Sequence, residues 1–297
     1  MTQVPNITLA NGVSMPAIGL GVYRSSADET VHAVSAALDA GYRLFDTAAA
    51  YGNEAQVGEA LGRKHIAAAD VFVTTKLWIS DYGFDSALHG FERSMRKLKL
   101  ETLDLYLLHQ PMPNEWERTI ASWKALARLT AEGRVRAIGV SNFSTVLLQR
   151  LIDQTGVVPH VNQVELHPFF AQAELRATHA RLGIATQAWS PIGGVTRYWG
   201  DKPDPSRNPL THETVTALAT KYGKSPAQIL LRWHMEHGIC AIPKSVTPSR
   251  IAENIDVFDF SLEAGEIAAI DALDSGVRSG PDPETFDTTT IKRTIED

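Results

Sequence analysis

An acid, a phenol, an amine and an imidazole recur at one kind of place in this chain. Asp46, Tyr51, Lys76 and His109 each stand at the end of an apolar, strand-like run or in the loop just past it. The runs are Leu44-Phe45, Val71-Phe72-Val73 and Leu103 to Leu108, short and rich in branched or aromatic residues as a buried parallel strand requires. Where strands and helices alternate, such ends face a common cleft. A phenol, with a pKa of about 10, is too weak an acid to protonate a developing alkoxide efficiently near neutrality, and a neighbouring ammonium lowers that value. At roughly 4 Å and an effective dielectric of about 20 the attraction reaches about 4 kcal/mol before desolvation is subtracted. Lys76 is expected to act in this way on Tyr51, with Asp46 keeping Lys76 charged and His109 orienting a carbonyl oxygen or relaying a proton. Taken singly, each residue also fits a structural role: an ion pair, a loop cap, a core histidine. Taken together, the four point to chemistry.

The elements that must position them alternate along the chain. A hairpin opens it, Ile7 to Leu9 and Val13 to Met15 around the turn pair Asn11-Gly12. Strands follow at Ile18 to Gly21, Arg43 to Asp46, Val71 to Lys76, Leu103 to His109, Ala137 to Ser141, Val161 to Glu165, Ala185 to Ser190 and Ala241 to Lys244. Helices fit between them. Ser26 and Glu29 form a capping box ahead of the face Val31, Val34 and Leu38, with Gly41 as the stop; Ser225-Pro226-Ala227-Gln228 and Thr247-Pro248 are further helix starts. Eight strand-helix units in one chain predict a (β/α)8 TIM barrel with an N-terminal β-hairpin, forming one domain over 1–297. Arg197 to Asn208 reads as a long loop after the seventh strand, and 276–297 as an irregular C-terminal tail.

Composition narrows the partners. The 297 residues are 44% hydrophobic and 21% charged, with a net charge of −6, so no basic footprint for nucleic acid is present. No apolar run approaches a membrane span or a signal segment. The lone Cys240 precludes an internal disulfide and reads as a buried thiol, which favours a cytoplasmic protein; a monomer is expected. His234 and His237 flank Glu236, but zinc-protease histidines stand four apart; a solvated helix end is the reading, and no metal is expected.

Dinucleotide and phosphate motifs of other folds are missing. Gly19-Leu20-Gly21 is followed by Arg24 where a Rossmann glycine is needed, and Gly223-Lys224-Ser225 lacks its first P-loop glycine because Leu218 stands there. A barrel instead binds phosphate after its seventh and eighth strands. Those loops read Ser190-Pro191-Ile192-Gly193-Gly194 and Lys244-Ser245-Val246-Thr247, the second leading into a helix start flanked by Lys244 and Arg250.

Longer stretches carry a resemblance. Gly41 to Glu54, Thr75-Lys76-Leu77-Trp78, Asp104 to His109, Gly139-Val140-Ser141-Asn142-Phe143 and Ile242-Pro243-Lys244-Ser245 resemble the aldo-keto reductases, with agreement from the first hairpin to about Leu273. Ala188-Trp189-Ser190-Pro191 and Asn254 to Phe260 are similar to the microbial branch that includes 2,5-diketo-D-gluconic acid reductases. The resemblance implies a catalytic tetrad of Asp46, Tyr51, Lys76 and His109, and NADPH-dependent reduction of an aldehyde or ketone. For the cofactor it implies Ser141, Asn142 and Gln163 on the carboxamide and Trp189 against the nicotinamide. The loops Ser190, Pro191, Ile192, Gly193 and Lys244, Ser245, Val246, Thr247 would hold phosphates, with Arg250 at the adenosine 2'-phosphate and Glu253 and Asn254 near the adenine. Tyr23, Trp78, His109 and residues of the loop from Val195 to Asn208 would border a small carbonyl substrate. Departures are Trp189, where many relatives carry Tyr; Gln110, where many carry Trp; and Thr247, where some carry a basic residue. Gln110 implies a smaller, more polar floor. The contrasting function on the same barrel is a non-catalytic nicotinamide-binding sensor or channel-associated subunit.

Overall fold

Side chains alternate across a strand, so every second residue shares a face. In β4 (Leu44–Asp46) that places Leu44 and Asp46 together; in β5 (Phe72–Leu77), Phe72, Thr74 and Lys76; in β6 (Leu103–Leu108), Leu105 and Leu107, continued by His109. In β8 (Val161–Glu165) the set is Val161, Gln163 and Glu165, and in β9 (Ala185–Trp189) it is Ala185, Gln187 and Trp189. The lower members of these columns, Leu44, Phe72, Leu105, Leu107 and Val161, pack on one another in the barrel interior, whereas Phe45, Val73, Tyr106 and Leu108 pack outward under the helices. The inward columns of β4, β5, β6 and β8 therefore start apolar and end polar at their carboxyl ends, and that of β9 carries the polar Gln187 beneath Trp189. The computed structural model describes residues 4–64, 66–193, 208–289 and 291–295.

With β3 (Leu20–Gly21), β7 (Val135–Ser141) and β10 (Cys240–Ala241) these strands form one eight-stranded parallel sheet ordered β3 to β10 along the chain. The sheet closes into a (β/α)8 barrel: Gly19 and Gly21 N–H donate to the carbonyls of Ala241 and Pro243 at 2.9 and 3.1 Å, and Ala241 N–H donates to Ala17 at 3.0 Å. The first and eighth strands are shorter than the sequence predicts. Pro243 has no N–H to give, so beyond Ala241 the ladder is reduced to a bridge between Gly21 and Lys244. Gly139 lies on the inward face of β7, where a Cβ would come within 2.4 Å of the Val161 carbonyl oxygen.

The hairpin strands β1 (Asn6–Thr8) and β2 (Ser14–Pro16) are antiparallel. Their turn runs from Leu9 to Gly12, whose N–H donates to Leu9 O at 2.8 Å, and only Gly12 takes a positive φ, of 83°. Leu9 and Met15 are buried in the interior cluster and plug the amino-terminal end of the barrel. Burial of such side chains contributes about 1.5–3 kcal/mol each. Helices Ala27–Ala40, Glu54–Arg63, Phe84–Leu98, Trp116–Ala131, Thr145–Thr155, Ala173–Leu182 and Pro226–Glu236 cover the strands. The capping boxes at Ser26 and Ser225 both form. Thr247 caps Pro248–Ile255 by position alone, with no side-chain bond to the helix.

Of the long loop after β9, only Asn208 is among the described residues; Gly194 and 195–207 lie outside them. The tail is irregular apart from a short turn at Pro283–Thr285, yet it is tied down. Glu165 accepts from Ser279 and Gly280 N–H, both at 2.9 Å; Glu115 Oε1 accepts from Thr288 N–H and Oγ1 at 2.9 and 2.5 Å; and Trp78 Nε1 donates to Arg293 O at 2.9 Å. Those ties carry it across the mouth of the barrel.

Candidate active site

Because the hairpin fills the bottom of the barrel, the polar tops of the columns open upward into a cavity of about 680 Å³. Lys76 lies directly beneath it, fully buried. An ammonium has three protons to place. Lys76 Nζ donates to Asp46 Oδ1 at 2.6 Å, to the Thr47 carbonyl at 2.9 Å and to Tyr51 Oη at 3.3 Å. The second Asp46 oxygen accepts from Gln163 Nε2 at 2.7 Å. His109 packs edge-on against Tyr51 and Trp78, with ring centroids 5.7 and 5.0 Å apart, and Tyr23 leans on Tyr51 at 4.9 Å. The four residues that the sequence picks out thus meet at one end of the cavity.

Burial sets the protonation there. It raises the Asp46 carboxyl and lowers the Lys76 ammonium, each opposed by the partner's charge. Tyr51 corrects an expectation: burial, then the Asp46 charge and Tyr23, push its phenol well above the ordinary range. The Lys76 ammonium at 3.3 Å does not outweigh them, so Tyr51 keeps its proton near neutrality. His109 is pushed well below the usual imidazole range by burial and then by the Lys76 and Arg293 charges, so it is neutral. Its Nδ1 is buried without a partner among the described residues. A bare acceptor is the cheaper atom to leave unpaired, which assigns the N–H to Nε2.

Next to this cluster lie Ser141, Asn142, Gln163 and Trp189. Asn142, at φ 66°, donates to the His109 carbonyl at 3.1 Å and accepts from Trp189 Nε1 at 2.8 Å, which fixes the indole against the cavity. Sequence reasoning missed Gln187. Its Oε1 accepts from Gln163 Nε2 at 2.7 Å, so the Gln163 amide nitrogen is spent on Asp46 and Gln187 and its oxygen is left uncommitted. The sequence signal was a polar residue two before Trp189 on the same face. Gln187 Nε2 donates to the Cys240 sulfur at 3.3 Å, whose thiol donates on to the Pro16 carbonyl at 3.4 Å; Cys240 is the buried thiol expected, pushed up to about 12.

Farther along, Ser190, Pro191, Ile192 and Gly193 line one wall and Lys244, Ser245, Arg250, Glu253 and Asn254 the other. Val246 and Thr247 do not line the cavity; Thr247 turns outward, its N–H bonded to Ser245 Oγ at 3.2 Å. With Thr247 giving no side-chain cap, the N–H groups of Ser249 and Arg250 remain open. Glu253 accepts from Ser225 Oγ at 2.5 Å, which brings the unforeseen Ser225, Pro226 and Ala227 to this end. Tyr23, Trp78 and Gln110 line the opposite end and are joined by Phe286, Ile291 and Arg293 of the tail. Gln110 Oε1 is buried without a hydrogen-bond partner among the described residues. His234 corrects another reading: it is fully buried, with Nε2 2.9 Å from the Pro191 carbonyl, instead of lying on a solvated helix end. Among the described residues no cluster of three or more His, Cys, Asp or Glu could hold a metal, and no helix is long and apolar enough to cross a membrane.

Known proteins share this arrangement of sequence and fold. Residues 12–275 match the model of the Aldo/keto reductase family. The chain is 52% identical over 288 residues to the morphine 6-dehydrogenase of Pseudomonas putida, covering 97% of each, and 45% identical over 282 residues to the methylglyoxal reductase DkgA of Escherichia coli K12, covering 94% of this chain and 97% of that one. A Gox0644 mutant solved in complex with NADPH superposes with a TM-score of 0.88 at 42% identity, over 96% of this chain and 100% of that one. Identity this high over nearly the whole length leaves one conclusion: the chain belongs to the aldo/keto reductase family and is an NADPH-dependent oxidoreductase.

Proposed function

We propose that the protein reduces a small aldehyde or ketone to the alcohol with Tyr51 as the proton donor. The observation that carries this is Lys76 Nζ bridging Asp46 and Tyr51 at the floor of the cavity. In the reading, the substrate oxygen sits between Tyr51 Oη and His109 Nε2. Tyr51 gives its proton to that oxygen as negative charge develops on it, while Lys76 stabilises the phenolate left behind. Asp46 keeps Lys76 charged and in place, and neutral His109 offers a hydrogen bond without adding charge.

The residues present fit NADPH. The uncommitted Gln163 oxygen suits a carboxamide N–H, and Ser141 and Asn142 stand beside it. Trp189, held by Asn142, suits stacking on a flat ring. Lys244 and Arg250, unpaired among the described residues, flank open helix N–H groups suited to a phosphate, with Glu253 and Asn254 adjacent. Bound there, the cofactor supplies the hydride. The reported relatives are named as a dehydrogenase and a reductase, which favours an enzyme over a non-catalytic nicotinamide-binding sensor or channel-associated subunit. Methylglyoxal, as in the name of one relative, is a suitable first substrate. We further read the chain as one domain over 1–297, acting as a cytoplasmic monomer. The test is NADPH oxidation with a panel of aldehydes, diketones and keto sugars; NADPH binding without turnover of any of them would favour the sensor.

A further inference from the structure

Three side chains form one row across neighbouring strands inside the barrel. Gln163 of β8 is in register with Gln187 of β9, and Gln187 with Cys240 of β10. All three are buried, as is Met15 of the hairpin below them. Gln187 does not line the cavity, and an apolar side chain of the same length would fill its place without losing the hydration of an amide. Its bonds supply the reason for an amide. Gln187 Oε1 accepts from Gln163 Nε2 at 2.7 Å, while Gln187 Nε2 donates to the sulfurs of Cys240 and Met15 at 3.3 and 3.9 Å. A flipped Gln187 would set two amide nitrogens against each other. The other Gln163 Nε2 proton goes to Asp46 Oδ2 at 2.7 Å. A planar amide with both protons placed has one orientation left, and its oxygen, to which no described residue donates, belongs to the cavity wall. Beside it Asn142 Nδ2 is committed to the His109 carbonyl and to Ser141 Oγ, both at 3.1 Å.

We propose that Gln187 is a positioning residue that holds the Gln163 amide so that it shows the nicotinamide carboxamide an acceptor and no donor. This role rests on the proposed seat of the carboxamide beside Gln163. Without the Gln187 oxygen, one N–H of Gln163 has no acceptor in the barrel interior, and leaving it buried and unpaired is costly. The amide then pivots about its bond to Asp46 and turns that N–H towards the cavity, where it meets a carbonyl as readily as the oxygen met an amine. Cys240 and Met15, by taking the Gln187 amide nitrogen, keep its oxygen turned to Gln163. The Cys240 thiol donates on to the Pro16 carbonyl at 3.4 Å, so the row is anchored in the hairpin that closes the barrel.

The test compares NADP+ with its acetylpyridine analogue, in which a methyl group replaces the carboxamide NH2, by direct titration of the whole chain. Wild type should bind NADP+ about fivefold more tightly, the value of one neutral hydrogen bond. In Gln187→Met, which removes the amide at similar length, the ratio of the two dissociation constants should fall towards unity. Gln187→Glu keeps an oxygen facing Gln163 and should retain most of the ratio. A merely structural role would weaken both nucleotides alike. A ratio unchanged in Gln187→Met, or lost equally in Gln187→Glu, would overturn the assignment and leave the carboxamide seat standing. Equal affinities in wild type would remove that seat and this inference with it. Should Gln187→Met not fold, hydrogen exchange in wild type decides. Both Nε2 protons of Gln163, identified by their loss in Gln163→Glu, should exchange slowly with and without NADP+, and fast exchange of either would overturn the double hold.

Discussion

The two ends of the cavity hold charge in opposite ways. Around Tyr51, Lys76 and Asp46 are 0% and 2% exposed, 2.6 Å apart, and every ammonium proton has an acceptor. At the far end Lys244 is half-buried, Arg250 is exposed, and neither has an ion-pair partner among the described residues. Burying an ion pair costs several kcal/mol per ion in lost hydration, repaid only by close geometry and full hydrogen bonding. An exposed cation costs little and is screened by salt. In the proposed reading, the first arrangement fixes a proton donor in place and the second discriminates between ligands by charge.

The sharpest way to break this contrast is at the buried end. Tyr51→Phe should lower carbonyl reduction by about 100- to 10,000-fold, the usual worth of a general acid, while NADPH affinity stays nearly constant. Comparable turnover by the variant would show that the proton comes from elsewhere. At the exposed end the effect should be smaller. Arg250→Ala should raise the NADPH dissociation constant about tenfold and leave that for NADH almost unmoved, the lower part of the range for a charged hydrogen bond because the site is wet. Added salt should weaken NADPH binding more than NADH binding. Equal losses for the two cofactors would remove the 2'-phosphate from this end.

The smallest effect isolates burial from the cavity. His179 is held between Asn162 Nδ2 at 3.0 Å and Thr186 Oγ1 at 2.8 Å, and burial lowers its pKa to about 4. Its folded value lies below the unfolded one of about 6.5, so between the two the unfolded chain binds a proton that the folded chain refuses. Stability from this group is therefore present above the unfolded pKa and falls by about 1.4 kcal/mol per pH unit as the solution is acidified through that window. Urea unfolding of His179→Gln across the same range should show a weaker protein at pH 7 with a shallower acid loss. Identical slopes would mean that His179 is charged in the fold.

What could be read in advance follows from where the information lies. Asp46, Lys76 and His109 end apolar runs, so the strand reading alone gathers them. Strand limits are blurred where Pro243 interrupts the ladder. The direction of the Tyr51 shift was not legible, because it depends on burial and on Asp46, which the sequence does not weigh against Lys76. The tail was least legible of all. Phe286, Ile291 and Arg293 belong to no periodic run, and their place is set by contacts such as Trp78 with Arg293, 215 residues apart in sequence.

Glu165 and Trp78 hold that tail by its main chain, through the N–H groups of Ser279 and Gly280 and the carbonyl of Arg293. Such bonds do not depend on which side chains the tail carries. The family match ends at residue 275, ahead of all three holding points in the tail. The pocket can thus be relined by exchanging tail residues other than Thr288, whose hydroxyl is itself a tie, while the barrel and the cluster of Asp46, Lys76 and Tyr51 stay as they are. In the proposed reading, substrate choice becomes an interchangeable fitting, carried on a segment whose main-chain anchors are independent of the side chains it presents.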